Sequence, residues 1–384
     1  MQFPKNYQVL LVSHYTETAG LVHKFQQYFE KKKIHPTMLL HPLFPGSALP
    51  SLVRVKEQEI TYKVHSVLQY PLEMFFSLGL LQKIKFGRSS TDLAVCFDPL
   101  SFVHTYFLRI FFKIDKIIYY NLDYSKSRFA NPLANFIYQR VNVFAFQRSD
   151  YFFSATEQFM IDLDPEQKLQ HRSFFLKHVV DTSAVKLRQK KESQTFVYAG
   201  SFGETTNFTS LLKALQKLSQ EKYTFSFDLY GGGKHLEEVV QAVKRLKLKN
   251  NVHFKGPVSN LELVNTILPK YSFGVCPYKI KGEPGAPDHM FYGNELTSKL
   301  IEYLAAGLPI LSTPLLDAFE VIEKEKIGFL VQSSQDWYLV IKKLLHQPKI
   351  LISYQQKALK YSSNYDMEKV LDPLFSHIVS ERRV

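Results

Sequence analysis

Apolar strand-like runs alternate with amphipathic helix-like runs along most of this 384-residue chain. In the second half, strand-like runs at 195–201, 223–231, 251–256 and 273–278 are separated by helix-like runs at 208–220, 234–248 and 260–270. Continuous apolar strands are typical of parallel sheets that helices cover on both faces. The alternation therefore predicts an α/β fold.

The first half shows the same alternation. Its predicted strands are 7–13, 36–41, 92–98, 116–123 and 150–156, and its predicted helices are 20–33, 101–113 and 131–149. Residues 41–90 give no clear pattern, and the polar, basic stretch 178–194 is typical of a linker. We therefore expect two Rossmann-like domains facing across a cleft, at 1–180 and 181–365, with a C-terminal helix at 366–384 packing back towards the first domain.

The chain carries a formal net charge of +13, which predicts a negatively charged partner or surface. Nucleic acid is not the predicted partner, because the basic residues are spread through both halves and no nucleic-acid motif occurs. The stretch 70–88, "YPLEMFFSLGLLQKIKFGR", combines aromatic residues with Lys83, Lys85 and Arg88. It fits peripheral contact with an anionic membrane, and it equally fits a core helix with a solvated basic end.

Both cysteines, Cys96 and Cys276, lie inside apolar runs, which predicts buried thiols in a reducing compartment. The N-terminus lacks the charged, apolar and small-residue pattern of a signal peptide. The longest apolar segment, 101–120, is interrupted by charged residues at 109, 113, 115 and 116, so we expect no transmembrane span. The predicted location is cytoplasmic, peripheral on the inner face of the membrane.

The segment 298–314, "SKLIEYLAAGLPILSTP", predicts a short helix followed by a buried strand. At helical spacing, the core-facing positions are Leu300, Ile301 and Leu304, and the opposite positions are Lys299, Glu302, Tyr303 and Ala306. A surface ion pair between Lys299 and Glu302 is one interpretation. However, a cation at a helix N-terminus opposes the helix dipole unless an anion such as phosphate binds there. Glu302, one turn deeper, is placed to accept hydrogen bonds from vicinal hydroxyls, as on a ribose.

Ligands of such sheets bind beyond the carboxyl ends of the strands. Gly200, Gly231 and Gly256 fall at three of these ends, although the G-x-G-x-x-G spacing of dinucleotide-binding proteins is absent. The glycine-rich loop 279–297 leads directly into the Lys299 helix, and we expect it to close over a ligand.

The segments "SKLIEYLAAGLPILST", "FVYAGSFGETTNFTSLLKAL", "FDLYGGG" and "NVHFKGPVSNLEL" resemble the donor-binding half of GT-B fold glycosyltransferases, in particular the retaining family-4 (group 1) bacterial enzymes. The resemblance implies that Lys299 holds the diphosphate of a nucleotide sugar and Glu302 its ribose. It also implies donor-binding positions at Gly200, Ser201, Gly203 and Ser298.

The family's E-x7-E pair is incomplete here. Its first position is Asn294, with Glu295 adjacent, and "GSFGETTN" lacks the usual basic residue after the first strand. An asparagine still hydrogen-bonds a sugar hydroxyl but offers no carboxylate. Stabilising the leaving diphosphate therefore falls to Lys299, the helix dipole and backbone N–H groups.

From the first domain, the resemblance implies a polar group that faces the donor sugar, for which Asn121 and Asp123 are the catalytic candidates alongside Lys299. Asp98 and His14 also lie at strand ends, and "DPLS" makes Asp98 equally a helix N-cap. His104 is expected to be structural. No metal-ligand spacing occurs, so no obligatory metal or cofactor is predicted, and the nucleotide sugar acts as substrate.

The main hypothesis is a hexosyltransferase-type enzyme that moves a sugar from a nucleotide-sugar donor to a lipid-linked glycan acceptor with retention, in surface polysaccharide or glycolipid synthesis. Two alternatives remain open. The fold is also compatible with a nucleotide-sugar epimerase or a phosphorylase. Asn294 leaves open a catalytically silent subunit that binds a nucleotide sugar.

Overall fold

The computed structural model describes residues 1–15, 21–42, 49–56, 58–64, 68–83, 90–121, 128–129, 131–185, 194–286 and 296–381. It divides into two compact units. Unit 1 comprises Met1–Lys177 and Leu371–Val384, and unit 2 comprises His178–Val370. The domain limits drawn from the sequence, after 180 and 365, stay predictions.

Unit 1 contains one eight-stranded sheet with the order β4-β3-β2-β1-β5-β6-β7-β8. Its strands are β1 (Val9–Tyr15), β2 (Thr37–Pro42), β3 (Ser51–Val55), β4 (Gln58–Tyr62), β5 (Thr91–Cys96), β6 (Ile114–Asn121), β7 (Tyr151–Ser154) and β8 (Ser173–Phe175). Its helices are α1 (Leu21–Lys31), α2 (Gln69–Lys83), α3 (Pro99–Leu108), α4 (Pro132–Arg148) and α5 (Glu157–Leu163).

The six strands other than β3 and β4 pair in parallel, as their continuous apolar runs predict. β3 and β4 instead pair antiparallel and extend the sheet at the β2 edge. They lie in the part of the sequence that gives no clear pattern, because β4 is largely exposed and lacks an apolar run. The sheet is therefore mixed rather than wholly parallel.

Capping residues set where two helices of unit 1 begin. The Asp98 side chain accepts a hydrogen bond from the Ser101 N–H, and Pro99 follows at the first helical position of α3. The Asn131 side chain caps α4 in the same way, ahead of Pro132. Each cap satisfies a backbone donor that the helix leaves unpaired, and proline removes another. The N-cap interpretation of Asp98 is thus confirmed.

Unit 2 contains a six-stranded parallel sheet with the order β11-β10-β9-β12-β13-β14. Its strands are β9 (Thr195–Ala199), β10 (Ser226–Tyr230), β11 (Val252–Gly256), β12 (Phe273–Cys276), β13 (Ile310–Ser312) and β14 (Gly328–Leu330). Its helices are α6 (Thr209–Gln220), α7 (Leu236–Arg245), α8 (Asn260–Glu262), α9 (Ser298–Ala305), α10 (Glu320–Lys324), α11 (Ser334–His346) and α12 (Pro348–Ser362). α8 continues through further helical turns to Lys270.

The last helix, α13 (Met367–Ser380), begins in unit 2, and its larger part belongs to unit 1. In unit 1 the Phe375 ring stacks on the ring of Tyr28, with centroids 5.3 Å apart. Asp372 accepts hydrogen bonds from the Met1 ammonium at 2.8 Å and from the Tyr28 hydroxyl at 2.8 Å. None of the helices in the described ranges is both long and apolar enough to cross a membrane.

Candidate functional site

Three strand ends of unit 2 meet at one edge of the sheet through their glycines. The Gly200 N–H donates to the Tyr230 carbonyl at 3.0 Å, and the Gly231 N–H donates to the Gly256 carbonyl at 2.9 Å. A Cβ atom at Gly231, where φ is +121°, would lie 2.0 Å from the Gly200 carbonyl oxygen. Glycine is therefore needed at 231 because two loops touch there.

The loop that follows β9 is held by the aromatic side chain in its middle. Phe202 is buried, and its ring lies 5.2 Å from the Tyr198 ring centroid and 5.4 Å from that of Phe208. Its N–H donates to the Gly232 carbonyl at 2.9 Å. Ser201, beside it, is exposed. The loop that carries the predicted donor-binding positions Gly200, Ser201 and Gly203 thus has a fixed backbone at the end of the sheet.

Lys299, in the first turn of α9, reaches back over this loop. Its Nζ atom lies 4.3 Å from the centroid of the Tyr198 ring and 5.3 Å from that of the Tyr278 ring. A Cβ atom at Gly200 would lie 2.4 Å from the same Nζ atom. Two aromatic faces and a glycine therefore direct the ammonium group to the end of β9.

The surroundings of Lys299 favour its charged form. Burial alone would lower the pKa of Lys299, but its interactions with the Tyr198 and Tyr278 hydroxyls outweigh burial and hold the pKa above the ordinary value. Within the described ranges, no carboxylate forms an ion pair with Lys299. A fixed, half-buried cation without a carboxylate partner is suited to an anionic ligand.

Glu302 lies one turn further along α9 and is only 7% exposed. Its Oε1 atom accepts hydrogen bonds from Asn260 Nδ2 at 3.0 Å and from Ser298 Oγ at 3.2 Å. Lys299 and Glu302 form no ion pair with each other in this part of the chain, so the surface ion-pair interpretation is wrong. Each side chain is instead held by its own partners.

The helical spacing predicts that Tyr303 and Ala306 lie with Lys299 and Glu302 on the side of α9 that faces away from the core, and for Tyr303 and Ala306 this prediction is wrong. Tyr303 is fully buried, and so is Ala306. The Tyr303 hydroxyl accepts from the Ala199 N–H at 2.9 Å and donates to the Val275 carbonyl at 3.4 Å. Its ring fills the space above Gly274, where a Cβ atom would lie 2.2 Å from a ring carbon. Because α9 packs on α12 and on the helical turns after α8 as well as on β12 and β13, its buried face is wider than the pattern indicates.

The loop between β12 and α9 is joined to the loop after β9. The Asn207 N–H donates to the Pro277 carbonyl at 2.8 Å, and Thr206 and Tyr278 form an isolated β-bridge. The Tyr278 hydroxyl shares a hydrogen bond of 2.9 Å with Oγ1 of Thr297, which precedes the first residue of α9. These contacts fix the entry to the helix. Asn294 and Glu295 lie outside the described residues.

Of the candidates in unit 1, Asp123 lies outside the described residues. Asn121 is buried at the end of β6, where its Nδ2 atom donates to the Tyr119 hydroxyl at 2.9 Å and to Asn142 Oδ1 at 3.1 Å. The Tyr119 hydroxyl also donates to Asn142 Oδ1, at 2.7 Å. The amide nitrogen of Asn121 thus joins β6 to α4, and its catalytic role stays a prediction.

A second polar group gathers at the ends of β1 and β5. His14 Nδ1 lies 3.0 Å from Asp98 Oδ1 and 3.1 Å from Ser101 Oγ. Burial opposes charge on His14, but the negative charge of Asp98 outweighs it and raises the pKa of His14. Burial of Asp98 would raise its pKa, but the charge and hydrogen bonds of His14 outweigh burial. The pKa of Asp98 therefore lies below its usual range. Each partner therefore favours the charged form of the other.

Beside this pair lies a buried cluster that the sequence pattern does not indicate. His41 Nδ1 is 3.8 Å from Glu73 Oε2, and neither His41 nitrogen has a hydrogen-bond partner among the described residues. Glu73 Oε1 accepts from Ser51 Oγ at 2.7 Å and from Gln69 Nε2 at 2.9 Å. Burial lowers the pKa of His41 and raises that of Glu73. Since β3 and α2 supply three of these residues, their grouping follows only from the fold.

His104 completes the cluster from α3. Its ring centroid lies 4.9 Å from that of His41, and its Nε2 atom lies 2.6 Å from Ser77 Oγ. Burial lowers the pKa of His104 to about 3. Among the described residues, no set of three or more His, Cys, Asp or Glu side chains is arranged to hold a metal ion.

Residues 193–347 match the family model of "Glycosyl transferases group 1". No sequence among curated proteins matches the chain. The expectation of a glycosyltransferase is confirmed by the family match, which lies on the part of the chain that contains Lys299 and Glu302.

Solved glycosyltransferase structures match nearly the whole chain. HepE of Anabaena, solved with UDP-glucose, shares 13% identity with a TM-score of 0.65 and covers 98% of this chain and 100% of its own. Sucrose-phosphate synthase of Thermosynechococcus elongatus shares 14% identity with a TM-score of 0.64, covering 97% and 99%. WaaG, a glycosyltransferase involved in lipopolysaccharide biosynthesis, shares 15% identity with a TM-score of 0.61, covering 98% and 100%. The predicted GT-B fold of two Rossmann-like α/β domains is therefore confirmed.

Proposed function

Because residues 193–347 form a group 1 glycosyltransferase domain, we propose that this chain transfers a hexose from a UDP-sugar to a lipid-linked glycan acceptor, with retention of the anomeric configuration. The observation that carries the proposal is the placement of Lys299 and Glu302. They lie on successive turns of α9, and each is fixed by its own partners, with the lysine over the glycine at the end of β9.

The diphosphate is the ligand that suits Lys299. A charged lysine without a described carboxylate partner, the N-terminal N–H groups of α9 and the loop at Gly200 and Ser201 together form an anion-binding arrangement. As the sugar–phosphate bond breaks, negative charge grows on the leaving diphosphate. A fixed cation at that position stabilises the transition state more than the ground state.

The ribose is the ligand that suits Glu302. Asn260 and Ser298 both donate to its Oε1 atom, which fixes the carboxylate. A fixed carboxylate accepts hydrogen bonds from two vicinal hydroxyls without further ordering cost. Uridine is proposed as the base because HepE was solved with UDP and with UDP-glucose, and TarM of S. aureus with UDP.

For the transfer itself, we propose that the acceptor hydroxyl attacks the anomeric carbon on the side from which UDP leaves, which retains the configuration. The new glycosidic bond forms as the bond to the diphosphate breaks. The proton of the hydroxyl passes to a phosphate oxygen of the leaving UDP. In this mechanism Lys299 stabilises charge, and the chain supplies no nucleophile of its own.

The acceptor is proposed to be a lipid-linked glycan of surface polysaccharide or glycolipid synthesis. WaaG acts in lipopolysaccharide biosynthesis, which supports this class of acceptor. The net charge of +13 supports the same class, because lipid-linked acceptors lie at anionic membrane surfaces.

The test of donor binding is thermal unfolding with UDP, GDP, ADP, TDP and CMP. A nucleotide at a hundred times its dissociation constant adds about 2.7 kcal/mol to the free energy of unfolding, which raises the melting temperature by a few degrees. We expect UDP alone to stabilise the parent. Lys299→Ala should weaken UDP binding roughly thirtyfold, because a hydrogen bond to a charged group contributes about 2 kcal/mol.

Activity is then measured as UDP release from UDP-hexoses with a lipid-linked acceptor, and the anomeric configuration of the product is read by NMR. An inverted product would exclude retention. UDP stabilisation that Lys299→Ala leaves unchanged would exclude the proposed donor site.

A further inference from the structure

Unit 1 exposes large apolar side chains on the helices of one layer. α2 packs on α3, and α3 packs on α4. The connections β5-α3-β6 and β6-α4-β7 lead along the sheet in one direction, and the connection β1-α1-β2 leads in the opposite direction. Because parallel connections of this kind are right-handed, α3 and α4 lie on the face of the sheet opposite α1. We define the aromatic face by exposed residues of α2, of α4 and of the turn that follows α3, namely Phe75, Phe76, Ile110, Phe111, Leu133, Phe136, Ile137 and Phe144.

The α4 part of the aromatic face is a stripe along one side of the helix. Leu133, Ile137 and Phe144 are 67%, 53% and 37% exposed, and Arg140 continues the same side. Their spacing of four, three and four residues places them above one another on the helix. A helix of a water-surrounded protein turns such a stripe inwards, whereas α4 turns it outwards.

The α2 and α3 parts extend this stripe across the layer. Phe75 and Phe76 are 61% and 54% exposed, and the Phe75 ring lies 5.5 Å from that of Phe107. Phe107 lies 5.2 Å from Phe111, which is 50% exposed. Exposed rings in mutual contact form a continuous apolar surface rather than scattered single residues, and such surfaces mark interaction sites.

Ring contacts also join α3 to α4. The Phe144 ring lies 5.4 Å from the ring of Tyr106 and 6.0 Å from that of Phe102. The exposed apolar side chains of all three helices therefore belong to one surface.

The exposed charges on these helices are of one sign. The sole carboxylate of α2, α3 and α4 is Glu73, which is buried. Lys83, Arg140 and Arg148 are exposed at or near the aromatic face. Arg140 lies over the Phe136 ring, 5.0 Å from its centroid. Apolar side chains interleaved with cations and free of exposed carboxylates complement a bilayer of anionic lipid.

We propose that the aromatic face docks on an anionic phospholipid bilayer, with its aromatic and aliphatic side chains in the headgroup region and its basic residues against lipid phosphates. This inference deepens the proposed function, on which it rests for the lipid-linked acceptor. It also selects the lipid-surface interpretation of α2, because a core helix would not expose Phe75 and Phe76.

The test is co-sedimentation of the full chain with two kinds of vesicle, one of phosphatidylcholine and one of equal parts phosphatidylcholine and phosphatidylglycerol. The parent should bind the second kind much more strongly. The double variant Phe136→Ser/Ile137→Ser should bind at least about tenfold more weakly, because each side chain loses its transfer from water. The matched control is Leu261→Ser/Leu339→Ser in unit 2, where the parent side chains are 53% and 52% exposed.

The charge component is tested separately with Arg140→Gln and Arg148→Gln. Each should weaken binding to anionic vesicles about fivefold and leave the weak binding to phosphatidylcholine unchanged. Stabilisation by UDP is measured for the unit 1 variants and should match the parent, since these substitutions lie on exposed positions outside unit 2.

Binding of the parent to neither kind of vesicle, with UDP stabilisation intact, would overturn the docking proposal and leave the donor site standing. Equal loss of binding in the unit 2 control would also overturn it. Self-association is measured by light scattering. If Phe136→Ser/Ile137→Ser loses self-association and keeps its vesicle binding, the aromatic face is instead a contact with a second copy of the chain. Vesicle binding without any nucleotide stabilisation would support docking and count against the proposed function.

Discussion

The ammonium group of Lys299 occupies the space that a side chain at Gly200 would need. A Cβ atom at position 200 would lie 2.4 Å from Nζ and 2.6 Å from Cε of the lysine. The two residues are far apart in the sequence, but the loop after β9 and the first turn of α9 meet at the edge of the sheet. The position of the cation therefore depends on the absence of a side chain at the end of β9.

Gly200→Ala is expected to displace the lysine and weaken UDP binding about as much as Lys299→Ala does. It should also lower the free energy of unfolding by about 1–3 kcal/mol, since φ at this position is +154° and the added methyl group meets both Lys299 and the Tyr198 hydroxyl. The measurement is thermal unfolding with and without UDP. The control is Gly232→Ala, because a Cβ atom there meets no atom within 4 Å.

The double variant Gly200→Ala/Lys299→Ala separates displacement of the lysine from damage to the loop. If displacement is the cause, the double variant binds UDP no more weakly than Lys299→Ala alone, because the two effects are not additive. Additive losses would indicate that the loop backbone binds the nucleotide independently of the lysine.

Glu302 is expected to bind the ribose, which a change in the ligand can test directly. Glu302→Ala should weaken UDP binding roughly tenfold or more and leave the affinity for 2′,3′-dideoxy-UDP almost unchanged, because that ligand lacks both hydroxyls. Lys299→Ala should weaken the binding of both ligands. Isothermal titration gives the affinities, and an equal loss for both ligands in Glu302→Ala would contradict the ribose assignment.

Asn260→Ala provides the matched test of how Glu302 is held. It removes the donor that lies 3.0 Å from Glu302 Oε1, while Ser298 remains. As in Glu302→Ala, affinity should fall only for the ligand that has the ribose hydroxyls. The loss should be smaller, about fivefold, because the carboxylate remains but its orientation is less fixed.

Most strands and helices of both units follow from the sequence, because strands buried on both faces and helices with one apolar side have distinct periods. Lys299 and Glu302 could be selected from their position at the start of a helix. Their partners could not be. Tyr198, Tyr278 and Asn260 belong to other elements of unit 2, and only the parallel order of β9, β12 and β13 brings those elements together.

Tyr303 and His41 show two reasons for the remaining errors. Tyr303 lies on the same side of α9 as Lys299 by spacing alone, but α9 is buried on more than one side, so a polar aromatic residue enters the core. His41 lies in a strand whose sequence is otherwise largely apolar. Its neighbour Glu73 belongs to α2, in a region of the sequence without a clear pattern. Buried polar pairs between distant elements leave no periodic signal.

Stability is expected to depend on pH through His104. Its pKa is lowered to about 3 by burial, so below the ordinary histidine value the unfolded chain binds a proton that the folded chain does not. Its contribution to stability is therefore complete above about pH 6.5 and is lost as the pH falls. At pH 5 the loss amounts to about 2 kcal/mol.

The measurement is the free energy of unfolding of the parent and of His104→Gln between pH 8 and pH 5. The parent should lose about 2 kcal/mol more than the variant between pH 6.5 and pH 5, whatever the other titrating groups contribute to both. The raised pKa of His14 does not mimic this difference, because its contribution is already complete below pH 6.5. Parallel pH profiles would show that the pKa of His104 is not lowered in the folded chain.

Tyr303→Phe is expected to be more destabilising than the loss of one hydroxyl normally is. The parallel pairing of β12 with β9 ends at Gly274 and Val197, and beyond that point the Tyr303 hydroxyl connects the two strands through Ala199 and Val275. Without it, two buried backbone groups lose their partner, which costs about 1–3 kcal/mol. Ala199 precedes Gly200, so UDP binding should weaken as well.

The matched control for Tyr303→Phe is Tyr338→Phe in the same unit. The Tyr338 hydroxyl donates to Glu221 at 2.8 Å, where water can replace it because the carboxylate is at the surface. Its loss should therefore cost under about 1 kcal/mol and leave UDP affinity unchanged. Chemical denaturation with and without UDP measures both quantities. Equal effects of the two substitutions would mean that the end of β9 keeps its position without the Tyr303 hydroxyl. The geometry of the Lys299 site would then not depend on the contact between Tyr303 and β9.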